Sequence, residues 1–433
     1  MNTNDLLQRW SNQSLAEIED QILRGEDRET VVQLLGEETV AEIQGISFVP
    51  SFAGVREDVI LLPGIMGSFL SSIRGVTSLL WINPLLFLQG NARYLRLNDA
   101  GDDDEDPRVE TVPVGLEKLT YLKISLALNR QTNLHEFPYD WRRPIETNAD
   151  LLHDRIERWA AGDPDRQFSL VAHSMGGLVS RTYFARHPAS AEKRIKRLIV
   201  HGTPHYGATN AVDTLVNGNG MMATADRLNQ ANEMRQLVYC LPSIYQLLPA
   251  PSDLFPSSLP YPVDFDLYNA AEWGKPEIQQ KYLDGARSLH QALGASDPQV
   301  AIDVVAGCHQ ETMVSISKIK SGEPFRLQPV TVSNGEGSGD GTVPLWSARL
   351  PSARCFYIQE NHRGLPGNGK VIRATLELIQ QGACDLPETI PNRKPFSFEA
   401  PAVSFDLQAE DLKTKIENGT AGEKDLEKLY FAF

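Results

Sequence analysis

Ser174 stands in Leu170-Val171-Ala172-His173-Ser174-Met175-Gly176-Gly177, where a short apolar run stops at a serine between small residues and a helix-like stretch begins. A strand that reverses sharply into a helix lifts the hydroxyl at its tip clear of the sheet, and large side chains two residues before or after would block the turn. Here those neighbours are Ala172 and Gly176; glycine is usual at both, and Ala172 adds only a methyl group. A serine hydroxyl near neutral pH is a poor nucleophile until a histidine takes its proton, and that histidine needs a carboxylate to fix its tautomer and stabilise its cation. Both follow downstream in the order nucleophile, acid, histidine that goes with this elbow. Asp340 lies in Gly339-Asp340-Gly341-Thr342-Val343-Pro344, and His362 in Glu360-Asn361-His362-Arg363-Gly364 after the strand-like Arg354-Cys355-Phe356-Tyr357-Ile358. Singly, each has an ordinary reading: a serine in a turn, an aspartate in a glycine loop, a structural histidine. Their conjunction in this order points to nucleophilic acyl chemistry.

A tetrahedral intermediate needs donors for its oxyanion. One is expected from the backbone N–H of Met175, the residue after the nucleophile, and a second from a loop after an earlier strand. Asp58-Val59-Ile60-Leu61-Leu62-Pro63-Gly64-Ile65-Met66-Gly67-Ser68 offers that strand and loop, and the amide of Ile65 is the favoured donor. His201 and His205 rival His362 as the base, but both precede the acid and would break the chain order. His173, one residue from the nucleophile on a strand, is expected to point to the opposite face.

The motifs together resemble the lecithin:cholesterol acyltransferase family, which includes lysosomal-type phospholipases A and enzymes that move a fatty acid from phospholipid to another alcohol. The matching stretches are Leu62-Pro63-Gly64-Ile65-Met66-Gly67-Ser68, Pro138-Tyr139-Asp140-Trp141-Arg142-Arg143-Pro144, Ala172-His173-Ser174-Met175-Gly176-Gly177, Gly202-Thr203-Pro204 and Gly339-Asp340-Gly341-Thr342-Val343-Pro344, in family order over about Val59 to Gln381. The Pro-Tyr-Asp-Trp-Arg stretch is the most specific, since generic lipases lack it. The resemblance implies Ser174, Asp340 and His362 as a triad, Ile65 and Met175 as oxyanion donors, and an active-site wall near Tyr139, Asp140 and Trp141. The animal members close a lid with a disulfide, whereas the first cysteine here is Cys240, so any lid is held by packing alone.

These groups need a sheet to hold them. The elbow strand, about Gln167 to Ala172, is followed by a helix and then by the buried strand Arg197 to His201, and the sheet resumes at Ala301, an alternation that predicts an α/β-hydrolase fold with a mostly parallel, doubly wound sheet. Ser14-Leu15-Ala16-Glu17 reads as a capping box with Gly25 as a stop, and a second helix is expected from about Asp27 to Gly45. This acidic helical extension, 1–54, would precede a catalytic domain over 55–390, with a tail over 391–433 that is either packed or mobile. Leu79-Leu80-Trp81-Ile82-Asn83-Pro84-Leu85-Leu86-Phe87-Leu88 reads as part of a lid within 68–95, with Trp81 as a substrate contact, or as an ordinary buried segment. Asp140 and Arg142 would either face the site or pair to tie down a loop. Helices are expected over Leu151–Trp159, from the elbow to about His187 where Pro188 stops it, over Leu237–Leu248 and Gln279–Leu293, and over Lys370–Gln381. The strand-poor interval from about 203 to 298 is a cap candidate that would shape an acyl pocket.

The composition fits an enzyme and excludes several classes. With 433 residues and 41% hydrophobic content the chain can bury a large core. A formal charge of −15 argues against nucleic acid and against strong adsorption to anionic lipid. No apolar run approaches the roughly 20 residues needed to span a bilayer, and Met1 to Trp10 lacks a leader pattern. Cytoplasmic residence follows, with transient contact at a membrane surface. Cys240, Cys308, Cys355 and Cys384 are widely spaced, so free thiols are expected. The run Asp102-Asp103-Asp104-Glu105-Asp106 lacks the spacing of a calcium loop and reads as a solvated one, so neither metal nor cofactor is expected. The predicted function is a serine-dependent lipid acyl hydrolase or O-acyltransferase. The alternatives are a carboxylesterase or lipase on non-phospholipid esters, and a non-catalytic lipid-binding or scaffold protein. Protein partners are not legible.

Overall fold

Val59-Ile60-Leu61-Leu62, Leu170-Val171-Ala172 and Leu198-Ile199-Val200 are unbroken apolar runs, the composition of strands covered on both faces. In the computed structural model, which describes residues 1–47, 56–75, 79–218, 220–295, 299–319, 326–393 and 405–429, they lie side by side in one sheet. The strands among these residues are β1 (Asp58–Leu62), β2 (Ser68–Ser72), β3 (Leu79–Trp81), β4 (Thr111–Leu116), β5 (Asn133–Glu136), β6 (Phe168–His173), β7 (Ile195–His201), β8 (Ala301–Gly307), β9 (Thr312–Lys318), β10 (Leu327–Val332) and β11 (Arg354–Ile358). Six form a sheet of order β11-β8-β7-β6-β1-β5, parallel throughout. A small antiparallel sheet, β3-β2-β4, and the β9–β10 hairpin stand apart from it.

The helices used below are α1 (Thr3–Trp10), α2 (Leu15–Arg24), α3 (Arg28–Leu35), α4 (Glu37–Ser47), α5 (Pro84–Leu88), α6 (Lys118–Gln131), α7 (Ile145–Trp159) and α8 (Met175–Arg186). Strand alternation sorts the core into two faces. Ile60, Leu62, Leu170, Ala172, Leu198 and Val200 join Leu152 of α7 and Leu178 and Val179 of α8. Val59, Leu61, Val171 and Ile199 join Ile124 and Leu128 of α6 with Ile372 and Leu378 of the helix Gly369–Gln381.

After β1 the chain passes to β5 on one side, then returns to β6 on the other and continues outward through β7, β8 and β11. The strand order therefore reverses between β1 and β6, whose ends are in register at Leu62 and Ala172. At such a switch point the loops leave in opposite directions and open a crevice at the carboxyl ends of the strands.

Ser14 and Glu17 form the expected capping box, and Gly25 ends α2 in the left-handed conformation. The helix expected from Asp27 to Gly45 is instead two, α3 and α4, because Gly36 takes φ +82. Pro188 does end α8, and it also opens the next helix, Pro188–Arg194, where its missing N–H is no loss. The helix expected over Leu237–Leu248 breaks into Met234–Tyr239 and Pro242–Tyr245 for the same reason. The Leu79–Leu88 stretch splits into β3 and α5, with Trp81 and Phe87 fully buried. At the chain end, a helix over Phe405–Asn418 packs against α5 and the helix Gly220–Leu228. It also meets the start of the chain: Asn4 Nδ2 donates to the Ile416 carbonyl at 3.0 Å, and the Thr3 amide to Gly419 at 3.0 Å.

Candidate active site

The elbow at the end of β6 is built by backbone constraint. Ser174 takes φ 52 and ψ −125 between the strand and α8, a conformation sparsely populated by residues with side chains. A Cβ on Gly176 would lie 2.5 Å from the Pro63 carbonyl oxygen, so this side of the elbow admits no side chain, while the methyl of Ala172 is accommodated in the core. The Ser174 amide is tied to the His201 carbonyl at 2.9 Å, and Thr203 Oγ1 donates to the Ser174 carbonyl at 3.0 Å.

His362, from the loop after β11, places Nε2 at 2.9 Å from Ser174 Oγ and Nδ1 at 2.7 Å from Asp340 Oδ2. The other Asp340 oxygen accepts the amides of Thr342 at 3.0 Å and Val343 at 2.7 Å, and the His362 amide donates to the Asp340 carbonyl at 2.8 Å. The Asp340 side chain is fully buried and that of His362 is 13% exposed. Three residues distant in sequence are thus joined by two hydrogen bonds, in an arrangement able to pass a proton from hydroxyl to imidazole.

The rival histidines are engaged elsewhere. His201 Nε2 lies 2.9 Å from Thr375 Oγ1, and burial pushes its imidazole down to about 4. His205 Nδ1 faces Arg181 at 3.4 Å; burial, then that guanidinium, push it well below the usual range. His173 was expected to point to the face opposite the nucleophile, and its ring centroid lies 4.7 Å from that of His362.

Met175 directly follows the nucleophile, and Ile65 lies in the loop that passes beside it. Met175 is the first residue of α8, whose opening amides have no partner within the helix. The Pro63–Gly67 loop passes so close to the elbow that a Cβ on Gly64 would lie 2.9 Å from that of Ser174. The Gly64 amide itself is bonded to Tyr121 Oη at 2.8 Å, which leaves Ile65 as the next amide in line.

Trp81, Tyr139, Asp140 and Trp141 are placed behind this loop. Trp81, Tyr139 and Trp141 have no exposed surface and Asp140 is 5% exposed, so the three aromatics line no water-filled space in this structure. Trp81 Nε1 donates to the Met66 carbonyl at 2.7 Å, Tyr139 Oη to Pro63 at 2.8 Å, and Trp141 Nε1 to Ser68 at 3.4 Å. Asp140 takes the pairing alternative: Arg142 donates to its two oxygens at 2.9 and 2.7 Å. Burial pushes the Asp140 carboxyl up, but Arg142 and then Arg143 hold it below the usual range.

Asp104 corrects the solvated reading of its acidic run. Its side chain is 3% exposed, receives Arg142 Nη1 at 2.8 Å, and accepts the amide and hydroxyl of Thr111 at 2.7 and 2.8 Å. Among the described residues there is no cluster of acid, histidine and cysteine side chains able to hold a metal, and all four cysteines are free thiols.

A parallel sheet with helices on both faces, a strand-order reversal at β1 and β6, and a serine elbow at that point define an α/β-hydrolase. Residues 123–293 match the lecithin:cholesterol acyltransferase family model, a stretch that carries the Tyr139-Asp140-Trp141-Arg142 motif and Ser174. Over that stretch the chain is similar to the family.

Two curated relatives from Arabidopsis thaliana agree. Lecithin-cholesterol acyltransferase-like 4 is 23% identical over 305 residues, 58% of this chain and 56% of the relative. Phospholipase A(1) LCAT3 is 25% identical over 313 residues, 60% of this chain and 67% of the relative. The match thus spans little more than half the length of the first and two thirds of the second. Similar solved structures include the Tle4-Tli4 complex, at 12% identity and a TM-score of 0.45 over 75% of this chain and 98% of that one. The mature Bacillus licheniformis lipase BlEst2 is 15% identical, with a TM-score of 0.33 over 77% and 92%.

Proposed function

We propose that the protein cleaves or transfers an acyl group from a lipid ester through a covalent intermediate on Ser174. The observation that carries this reading is the continuous line from Ser174 Oγ through His362 to Asp340, at 2.9 and 2.7 Å. His362 Nε2 removes the hydroxyl proton as Oγ attacks the ester carbonyl carbon. The resulting oxyanion is received by the amides of Ile65 and Met175, and the positive end of α8 adds to that stabilisation. Asp340 keeps the proton on His362 Nδ1 and stabilises the imidazolium. When the intermediate collapses, the bond to the leaving alkoxide breaks and His362 returns the proton to it. Water or a second alcohol, deprotonated by the same imidazole, then attacks the acyl-serine and frees the enzyme.

Support for lipid, and for phospholipid among lipids, comes from the family match and from the phospholipase A(1) relative. Hydrolysis and transfer share the acyl-enzyme and differ in the acceptor that reaches it. Trp81, Tyr139, Asp140 and Trp141 act in this reading through the loop they hold, by keeping the Ile65 amide aimed at the intermediate. Among the described residues no helix is long and apolar enough to cross a membrane. Cytoplasmic residence with transient membrane contact belongs to the same proposal, supported by the four free thiols and the net charge of −15; recovery of the native protein in a membrane pellet after a high-salt wash would count against it.

The deciding experiment is labelling with a fluorophosphonate probe. Label is expected on the native protein and on Ser72→Ala, and none on Ser174→Ala; label that persists in Ser174→Ala rejects the nucleophile. Products from phosphatidylcholine vesicles, with and without an added long-chain alcohol, then separate free fatty acid from a new ester. Release of neither, from a protein that still takes the label, would leave the non-phospholipid esterase as the reading.

A further inference from the structure

His173 sits at the last position of β6, 5% exposed, and plays no part in the proton transfer described above. Its Nε2 lies 3.0 Å from the carbonyl oxygen of His362. A carbonyl can only accept, so Nε2 carries the proton. In the neutral ring Nδ1 is then an acceptor, and the Tyr121 hydroxyl 2.8 Å away must donate to it. The Tyr121 oxygen in turn accepts the amide of Gly64 at 2.8 Å. One carbonyl therefore fixes the direction of the whole chain, which runs from Gly64 N–H through Tyr121 and His173 to the backbone of His362.

The ends of this chain are the two loops whose relative placement decides whether base and oxyanion donor meet the same carbonyl group. One end adjoins Ile65 and the other is the residue that carries the imidazole. The intermediate groups stand on α6, which packs on one face of the sheet, and on β6, the neighbour of β1 in it. Burial, then the charges of His362 and His201, push the His173 imidazole well below its usual range, so it stays neutral while its neighbour cycles through the cation. Burial pushes the Tyr121 phenol up, so it remains a donor. With the Gly64 amide engaged, the oxyanion falls to Ile65.

Resting on the assignment of Ser174, His362 and Asp340, we propose that Tyr121 and His173 are positioning residues that clamp the oxyanion loop and the base loop in one register, with His173 held as a neutral Nε2–H donor. A rate depends steeply on such placement: about 1 Å of misalignment costs on the order of a hundredfold.

Tyr121→Phe removes one hydroxyl from a buried helix position and leaves the ring to fill its space. In that variant the fluorophosphonate labelling rate is expected to fall about tenfold to a hundredfold. With an acyl ester substrate kcat should fall to match while KM stays within about twofold, since the clamp acts on the transition state rather than on uniform binding. His173→Gln, which keeps an N–H for the His362 carbonyl, should retain more rate than His173→Leu. Nitrogen-15 shifts of His173 in the full chain should report the neutral Nε2–H form, and the same form in Tyr121→Phe, where the His362 carbonyl still selects it. Wild-type labelling by Tyr121→Phe, equal rates for the Gln and Leu variants, or an Nδ1–H ring in the native protein would each overturn the clamp. Persistent label in Ser174→Ala would instead displace the nucleophile, and the His173 tautomer would still decide the clamp.

Discussion

Gly202 follows His201 at the end of β7 with φ +57, and a Cβ there would lie 2.8 Å from Asp340 Oδ2 and 3.0 Å from His362 Nδ1. An added methyl would thus stand inside the hydrogen bond that orients the base. Gly202→Ala is expected to reduce the labelling rate of Ser174 by about a hundredfold, because the imidazole must turn away. It should also cost about 1 to 2 kcal/mol of stability for the left-handed backbone. Parallel labelling and urea unfolding separate the two effects; an unchanged rate in the folded variant would show that the acid and base tolerate displacement.

Four other histidines matter through their protonation. Burial pushes His201 and His290 down to about 4 from an ordinary 6.5, and holds His173 and His205 well below that value. Between pH 6.5 and 4 these rings stay neutral in the fold but take up protons in the unfolded chain, so the unfolded state holds more protons and stability falls as pH falls. Each ring contributes about 1.4 kcal/mol per pH unit inside its window. The thermal midpoint is expected to be level above pH 6.5 and to drop steadily below it. His290→Gln can still donate to the Leu248 carbonyl, which Nε2 reaches at 3.0 Å, and should flatten that slope. A midpoint flat down to pH 4 would mean that the rings titrate in the fold.

At the scale of elements, the loop before β4 is locked to the chain after β5 by Asp104, Arg142 and Asp140. Arg142 is fully buried, so removing one carboxylate strands a desolvated charge. Asp104→Ala also leaves the Thr111 amide without its acceptor, and is expected to cost about 3 to 5 kcal/mol by urea midpoint. Asp103→Ala, one residue away in sequence but 75% exposed at its side chain, should stay within about 0.5 kcal/mol. Equal effects would return the acidic run to the solvated loop read from its composition. Nothing in five consecutive acids marks the one that reaches an arginine far along the chain. The strands of the central sheet were legible because burial on both faces leaves apolar runs, as in β1, β6, β7 and β8. The edge strand β5 reads Asn-Leu-His-Glu and β2 reads Ser-Phe-Leu-Ser-Ser, so their pairing is set by tertiary neighbours rather than by pattern. Ser174, Asp340 and His362 were legible because acyl chemistry restricts residue type and order. Tyr121 was not, since a tyrosine on a largely buried helix has the look of core and its role lies in an oxygen that bonds the end of β6 and the loop after β1.

The whole molecule is closed by its two ends. Leu412, Ile416, Leu426 and Leu429 are fully buried, as are Leu6, Trp10 and Leu34 of the first helices, and Gln33 Nε2 donates to the Thr420 carbonyl at 2.8 Å. The tail therefore completes a core that the N-terminal helices begin, and α2 and α4 tie this layer to α6 through Arg130 with Glu19 at 2.5 Å and Lys123 with Glu42 at 2.7 Å. Because α6 also carries Tyr121, stability of the terminal layer and alignment of the active site share an element. Ile416→Ala is expected to cost about 2 to 5 kcal/mol, the range for a large side chain removed from a packed core. Deleting 405–429 should go further, with uptake of a hydrophobic dye and slower Ser174 labelling below the unfolding midpoint. The tail also touches the base loop at Arg363, whose Nη1 lies 3.2 Å from Glu427, but that pair is 23% and 47% exposed and worth at most about 1 kcal/mol. Glu427→Gln should therefore label within about twofold of the native protein. If it instead slowed labelling as much as the deletion does, the tail would act on the site through that ion pair, and the buried core it completes would not be the link.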